Sequence, residues 1–305
     1  MWSVLNGKLL LMEIRFVKKE DIDKIKWNSC VHYAINGNIF GYMWFLDSVS
    51  KEWDALVEGD YESVLPLFHK IDNNFSYHKS LLREAGIYSI NLLSKKRIEA
   101  FVEAIPDTFK NIDIQFKKGI QLPQNDHFEI STTTNHELSL QSPYDTIRNN
   151  YSDVAELALK KAREFQLKPT SSIKPEVIAD LFKQNAKKTK ESEAAFHAYH
   201  RIMYNALHRG WGFASGIVDE NNTLLAAAFF IFSHGRALTL LAPETSAGKD
   251  KGALTLLFDF FIRNNAGRPQ ILDFNMENDF PKRFGALQKN FQQLNRKKKS
   301  WWQVF

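Results

Sequence analysis

Apolar residues recur along this chain with two periods, and the places where the period switches mark its elements. From Glu13 to Val17 polar and apolar positions alternate as in a strand, and Glu20-Asp21 then opens a helix whose apolar positions include Ile22, Ile25 and Cys30. A second helical stretch follows over residues 39–49. Three runs come next, WDALVEG (53–59), YESVLPLFHKI (61–71) and SLLREAGIYSI (80–90), separated by a Gly59-Asp60 turn and a polar DNN. They read as strands. A helix from Ser94 to Ile105 and a strand NIDIQF (111–116) complete the series. Residues 127–141, HFEISTTTNHELSLQ, alternate as a hairpin, and 153–165 is a charged amphipathic helix.

After Lys168-Pro169-Thr170-Ser171-Ser172, read as a boundary, the order begins again. Helices at 175–184 and 192–208 lead into a three-strand meander, GFASGIVDE, TLLAAAFFIFS and RALTLLAPE. SAGKDKG (246–252), a helix opening at Ala253, the strand PQILDFN, a short helix near 280–284 and a terminal strand NFQQLNR follow. The two halves share an element order with little residue identity. Helices alternating with strands need a sheet to pack on, so the pattern predicts an α/β fold around a mixed sheet, duplicated in tandem. The expected divisions are a disordered extension at 1–11, a first domain at 12–150, a linker helix and boundary at 151–172 and a second domain at 173–305.

Composition narrows the classes. With 305 residues, 44% of them hydrophobic and 25% charged, the chain can bury sizeable cores. Its 24 Phe are scattered through periodic segments and read as core. A net charge of +5 permits a polyanionic partner without requiring one. The single cysteine, Cys30, excludes an internal disulfide and a cysteine-based zinc site, which fits a reducing cytoplasm. No stretch approaches the roughly 20 apolar residues of a membrane span. No Walker loop, dinucleotide fingerprint or nucleophile elbow is present. His197 and His200 stand at i, i+3 on a helix without a set of metal partners, so no metal is expected. The tail NRKKKSWWQVF reads as an edge strand with a solvated basic turn, or as a contact for a tRNA end or a membrane surface.

Three patches, YDTIRNNYSDVAELALKKA (144–162), the meander with LTLLAPETSAGKDKGALTLLFDFFIR, and ILDFNMENDFPKRFGA, resemble in order and spacing tandem GNAT-fold acyltransferases of the Fem type, the aminoacyltransferases that build peptidoglycan cross-bridges. The resemblance spans roughly residues 12–305. It implies an acyl or aminoacyl transfer to an amine, from acetyl-CoA or another acyl-CoA, or from aminoacyl-tRNA, to a small-molecule or peptidoglycan-precursor acceptor. It also implies a donor pyrophosphate on backbone amides at a helix start, a natural anion site. The corresponding residues are Leu241, Ala242, Lys249, Asp250, Lys251, Gly252 and Ala253, with Gly252 letting a phosphate approach and the lysines adding charge. Read without the resemblance, the same stretch is a lysine-bearing turn before a core helix through Leu254, Leu257, Phe258 and Phe261.

Glu244, at the end of the strand 237–242, is the expected base for the amine. Asp273 is expected to orient the amine or to cap a turn. The sequence departs from the family pattern twice. Leu254 fills a position that is usually small, and Pro281 stands where a tyrosine acid is expected. These departures keep open an alternative, a catalytically degenerate module that binds a ligand or protein.

Overall fold

The computed structural model describes residues 13–68, 70–71, 74–75, 79–109, 113–116, 122, 128–171, 173–185 and 189–296. The extension expected at 1–11 and the basic aromatic tail from residue 297 onward lie outside them. In chain order the elements are β1 (Ile14–Val17), α1 (Lys24–Tyr33), α2 (Met43–Val49), β2 (Trp53–Glu58), β3 (Ser63–Phe68), β4 (Lys70–Ile71), β5 (Asn74–Phe75), β6 (Tyr88–Ser89), α3 (Lys95–Glu103), β7 (Asp113–Phe116) and β8 (Phe128–Ser139). Then come α4 (Tyr144–Arg148), α5 (Asp153–Glu164), β9 (Lys168–Thr170), α6 (Pro175–Asn185), α7 (Lys190–His208), β10 (Gly212–Val218), β11 (Leu224–Ser233), β12 (Arg236–Leu241), α8 (Ser246–Lys251), α9 (Ala253–Asn265), β13 (Ile271–Asp273) and β14 (Leu287–Arg296).

The fold is the expected mixed α/β arrangement. One sheet has the order β1-β2-β3-β6, and an eight-stranded sheet has the order β7-β14-β8-β13-β12-β11-β10-β9. In the second, only β12 and β13 run parallel; the other neighbours are antiparallel. β7 and β8, although they precede residue 150, are hydrogen-bonded into the sheet of the second half.

Alternation along β11 explains its unbroken apolar run. Ala227, Phe229 and Ile231 enter a core shared with the first half, while Ala226, Ala228 and Phe230 enter the core under α9. A strand buried on both faces has no polar side to show. Leu254, Leu257, Phe258 and Phe261 do form the buried face of α9.

Three local expectations are corrected. The stretch 128–139 is one strand, not a hairpin: β14 pairs with it from Leu287↔Glu137 to Arg296↔Phe128, and Asn135 is buried. Its side-chain amide donates to Asp273 Oδ1 at 2.7 Å, a tertiary bond at a position where a hairpin would turn. In the third run of the first half only Tyr88–Ser89 is strand. Lys168–Thr170 is an edge strand on β10, where Pro169 costs little because an outer edge needs no donor.

The two halves meet through charge as well as apolar surface. Arg236 Nη2 lies 2.6 Å from Glu137 Oε1, 2.6 Å from Asp273 Oδ2 and 3.7 Å from Glu84 Oε1. The three carboxylates offer oxygens within 4.8 Å of one another, and the guanidinium occupies the place a metal would take among them. Burial works to lower the Arg236 pKa, but attraction from Asp273, Glu84 and Glu137 outweighs it and the net shift is upward. Arg236→Ala strands buried like charges, so the expected loss of stability is about 3–5 kcal/mol, measured by urea denaturation. A loss below about 1 kcal/mol, the size of a surface pair, contradicts this account.

Candidate active site

The site begins where β12 and β13 part. Their parallel register runs Arg236↔Ile271, Ala237↔Leu272, Leu238↔Asp273 and stops there. On its other edge β12 keeps to β11, but the register steps from Phe230↔Thr239 to Phe229↔Leu241, so Leu240 is the extra residue of a bulge. A bulge bends its strand and re-aims it. Past the bulge, Pro243 O accepts from Ala227 N at 3.0 Å and Glu244 bridges to Ala226. That continuation stays on β11, away from β13. Beyond the parting lies a cavity of about 930 Å³. Ala242 and Glu244 form one lip and Met276, Asn278 and Asp279 the other; α5, α8, the first turn of α9 and the short helix Phe280–Phe284 close the rest.

Of the residues expected at the site, Ala242, Glu244, Lys249, Asp250 and Gly252 line this cavity. Leu241, Lys251, Ala253 and Asp273 do not. Leu241 and Ala253 are buried, and Lys251 Nζ lies 5.2 Å from the Phe165 ring centroid. Asp273 belongs to the Arg236 cluster: Oδ1 accepts from Asn135 Nδ2 and, at 2.9 Å, from the Asn275 amide. Asn135 Oδ1 in turn accepts from Met276 N at 3.2 Å. Asp273 thus fixes the backbone that becomes the second lip.

The stretch 246–252 is not an open loop. Ser246–Lys251 is helix α8, capped by Thr245, whose hydroxyl accepts from Gly248 N. Gly252 is left-handed at φ +77°, and its N–H is taken by Gly248 O and Lys249 O. A Cβ there would lie 2.4 Å from Ala158 O. Gly252 is therefore required by the junction of α8 with α9 and by contact with α5.

Glu244 is the cavity's distinctive charge. Burial pushes its carboxyl up from the ordinary 4.5, while the facing amide of Leu254 and the charges of Lys249 and Arg283 pull the other way. Four cations line the same cavity, Lys161, Lys249, Lys282 and Arg283. Lys161 is the one residue of the Lys160-Lys161 pair that reaches it. Lys282 is spent on Asp279 at 2.7 Å. Pro281 is buried beside them.

The YDTIRNNY segment has a packing role. Tyr144 Oη donates to Asp259 Oδ1 at 2.7 Å, and Arg148 spans Asp259 at 3.2 Å and Glu156 at 2.7 Å, clamping α4 and α5 to α9. His197 Nε2 lies 3.5 Å from Glu193 on an exposed helix face.

No model of a known protein family and no curated protein matches the sequence. Solved structures do. FemX superposes with a TM-score of 0.58 over 92% of this chain and 97% of its own, at 12% identity. L-PGS from Bacillus licheniformis gives 0.55 over 92% and 93%, at 10% identity. The tandem GNAT protein from the clavulanic acid biosynthesis pathway gives 0.50 over 94% and 100%, at 11% identity. The chain has the tandem GNAT fold. Its arrangement is the one FemX shares.

Two outcomes follow. Gly252→Ala forces a left-handed alanine, costing about 1–3 kcal/mol from the backbone alone, and adds a contact with α5. Calorimetry is expected to show a lower Tm without any ligand; an unchanged Tm contradicts the packing role. For Glu244, a raised carboxyl means that the folded chain holds the proton more tightly than the unfolded one. Its ionisation therefore withdraws stability as pH rises through and above 4.5. Glu244→Gln lacks this penalty, so urea melts at about pH 4 and about pH 7 are expected to show the variant gaining on the wild type at the higher pH. A difference that stays constant or reverses refutes the assignment.

Proposed function

We propose that this chain is an N-acyltransferase that moves an acyl or aminoacyl group from an activated donor to an amine. The observation that carries the proposal is the parting of β12 and β13 at Leu238 and Asp273, with the cavity opening there and Glu244 on its lip. In α/β sheets ligands favour crevices beyond the carboxyl ends of strands. The fold shared with FemX and L-PGS supports the same reading.

The chemistry has four requirements, and the cavity answers each with its own groups. The amine must lose a proton, and a carboxyl raised above its ordinary range is a better base near neutral pH than an exposed one; Glu244 takes that proton directly or through water. The acyl oxygen needs fixed donors, and the backbone of β12 past the bulge is the strand edge that β13 has left. Donor and amine must be held together, which the two lips do, the second positioned by Asp273 through Asn135 and Asn275. With Pro281 in place of a tyrosine, leaving-group charge falls to the cations Lys161, Lys249 and Arg283.

The donor is an acyl-CoA or an aminoacyl-tRNA, and the acceptor a small-molecule or peptidoglycan-precursor amine. A cytoplasmic location matches Cys30, a buried thiol pushed up to about 12 by burial and inert as a nucleophile. Among the described residues no helix is long and apolar enough to cross a membrane. Leu254, buried at the rim where a small residue is usual, favours the second reading, a binding module without turnover.

The test is amine-dependent release of CoA thiol or of deacylated tRNA, with acetyl-CoA, a longer acyl-CoA and aminoacyl-tRNA as donors. Transfer with at least one donor is expected, falling roughly 10²–10⁴-fold in kcat for Glu244→Gln without any weakening of donor binding. Donor binding without transfer selects the binding module. Full turnover in Glu244→Gln removes Glu244 from the mechanism.

A further inference from the structure

The residue that sequence reasoning passed over is Arg283, and its setting is built. It lies in a short 3₁₀ helix, Phe280–Phe284, between two buried anchors, Pro281 and Phe284. Phe284 packs among Tyr151, Phe258 and Phe274, with ring centroids 5.2 to 5.9 Å away. The Arg283 carbonyl accepts from Ser152 N at 2.9 Å, and Gly285 at φ +73° is held against Asn150. These fixtures leave Lys282 exposed and turn Arg283 inward, partly buried, onto the cavity wall. Its guanidinium lies 4.9 Å from the Phe280 ring centroid, and Nη1 donates to Thr255 Oγ1 at 3.5 Å. Thr255 is buried in the first turn of α9, a 13-residue helix.

Unlike Arg148 and Arg236, Arg283 has no carboxylate ion pair among the described residues. A partly desolvated guanidinium, a hydroxyl and the positive end of a long helix face one cavity, with Lys249 and Lys161 at its rim. The opposing charges there are Glu244, Asp250 and Asp279, the last already paired with Lys282.

We propose that Arg283, with Thr255, forms the seat for a phosphate group of the donor at the first turn of α9, on these side chains and not on the Gly252 amide, which Gly248 O and Lys249 O already hold. This rests on the transferase reading for its donor and on the cavity geometry for its place. Arg283 supplies a fork that fits phosphate oxygens, Thr255 a further donor, and Lys249 and Lys161 long-range attraction. Glu244 opposes the phosphate, so its charge sets how tightly the seat holds. CoA and the 3′ end of tRNA both present phosphates of this kind.

The experiment is isothermal titration of the full chain with inorganic diphosphate, coenzyme A and the trinucleotide CCA, for wild type, Arg283→Gln, Arg283→Lys and Glu244→Gln, each confirmed folded by its melting curve. Diphosphate is expected to bind wild type and to weaken roughly 10- to 100-fold in Arg283→Gln, with only partial recovery in Arg283→Lys. Glu244→Gln is expected to bind it more tightly. The tighter of CoA and CCA identifies the source of the phosphate, and either result supports the seat. Diphosphate binding that is absent in wild type, or unchanged in Arg283→Gln, overturns the proposal. The seat and the transferase reading fail separately. Loss of diphosphate in Arg283→Gln with no amine-dependent transfer from any donor keeps the seat and removes the transferase. Transfer with donor KM unchanged in Arg283→Gln does the reverse.

Discussion

The parallel pairing of β12 with β13 lasts for three residues, and its ending creates the cavity. Two opposed forces fix where it ends. At the base, Arg236 of β12 and Asp273 of β13 are joined by a charged contact of 2.6 Å that also gathers Glu137 and Glu84. Just above, the Leu240 bulge keeps β12 on β11 while Asp273 accepts the Asn275 amide and turns the chain at a left-handed Asn275, φ 52°. A non-glycine residue in that region carries a backbone cost of order 1 kcal/mol or more, which persists because Asn135 and Asp273 over-determine the turn. Without the charged contact the strands would lose the tie at their base, and without the bulge β12 would be free to continue beside β13.

Charge is handled differently in the Arg236 cluster and at Glu244. Around Arg236 the guanidinium is shared among two buried carboxylates, Glu84 and Asp273, and the partly buried Glu137, and Asp273 gains two further donors; buried charge is tolerated when it is paired and hydrogen-bonded in this way. Glu244 is different. It is desolvated enough to shift upward, and no cation among the described residues is paired with it. A partly buried carboxylate kept without an ion pair, in a cavity otherwise rich in lysine and arginine, is costly for the fold alone and useful for moving a proton.

Much of the fold was legible because period reports burial. The helical spacing of Leu254, Leu257, Phe258 and Phe261 marked α9, and the apolar run of 223–233 marked the central strand of the meander. Glu244 was legible as the first charged residue after a strand end. What escaped depended on distant partners. The alternation of residues 128–139 does not say whether Asn135 turns the chain or reaches Asp273, which is 138 positions away. The turn cap expected of Asp273 is present on the Asn275 amide, but its ion pair with Arg236 on the neighbouring strand was not legible. Arg283 escaped for another reason: five residues of 3₁₀ helix offer no period, and only the burial of Pro281 and Phe284 tells which of Lys282 and Arg283 turns inward.

The stretch that opens α9 shows why core and binding surface need not compete for the same residues. Along α9 one face packs in a rigid aromatic layer, with Phe230 and Phe261 stacked at 3.8 Å and Phe258 touching Phe274, Phe280 and Phe284. The helix start emerges from that layer into the cavity, carrying Leu254 and Thr255 with it. Phe284 belongs to the same layer and is the neighbour of Arg283, so the packing that stabilises the domain also fixes the guanidinium relative to the helix dipole. Fixed donors in a partly dry site lose little to reorganisation when an anion arrives, and interactions of that kind are worth more than the same groups on flexible loops. The abundance of phenylalanine therefore has a consequence beyond stability. It supplies stiffness at the cavity floor without adding polar atoms that a ligand would have to displace.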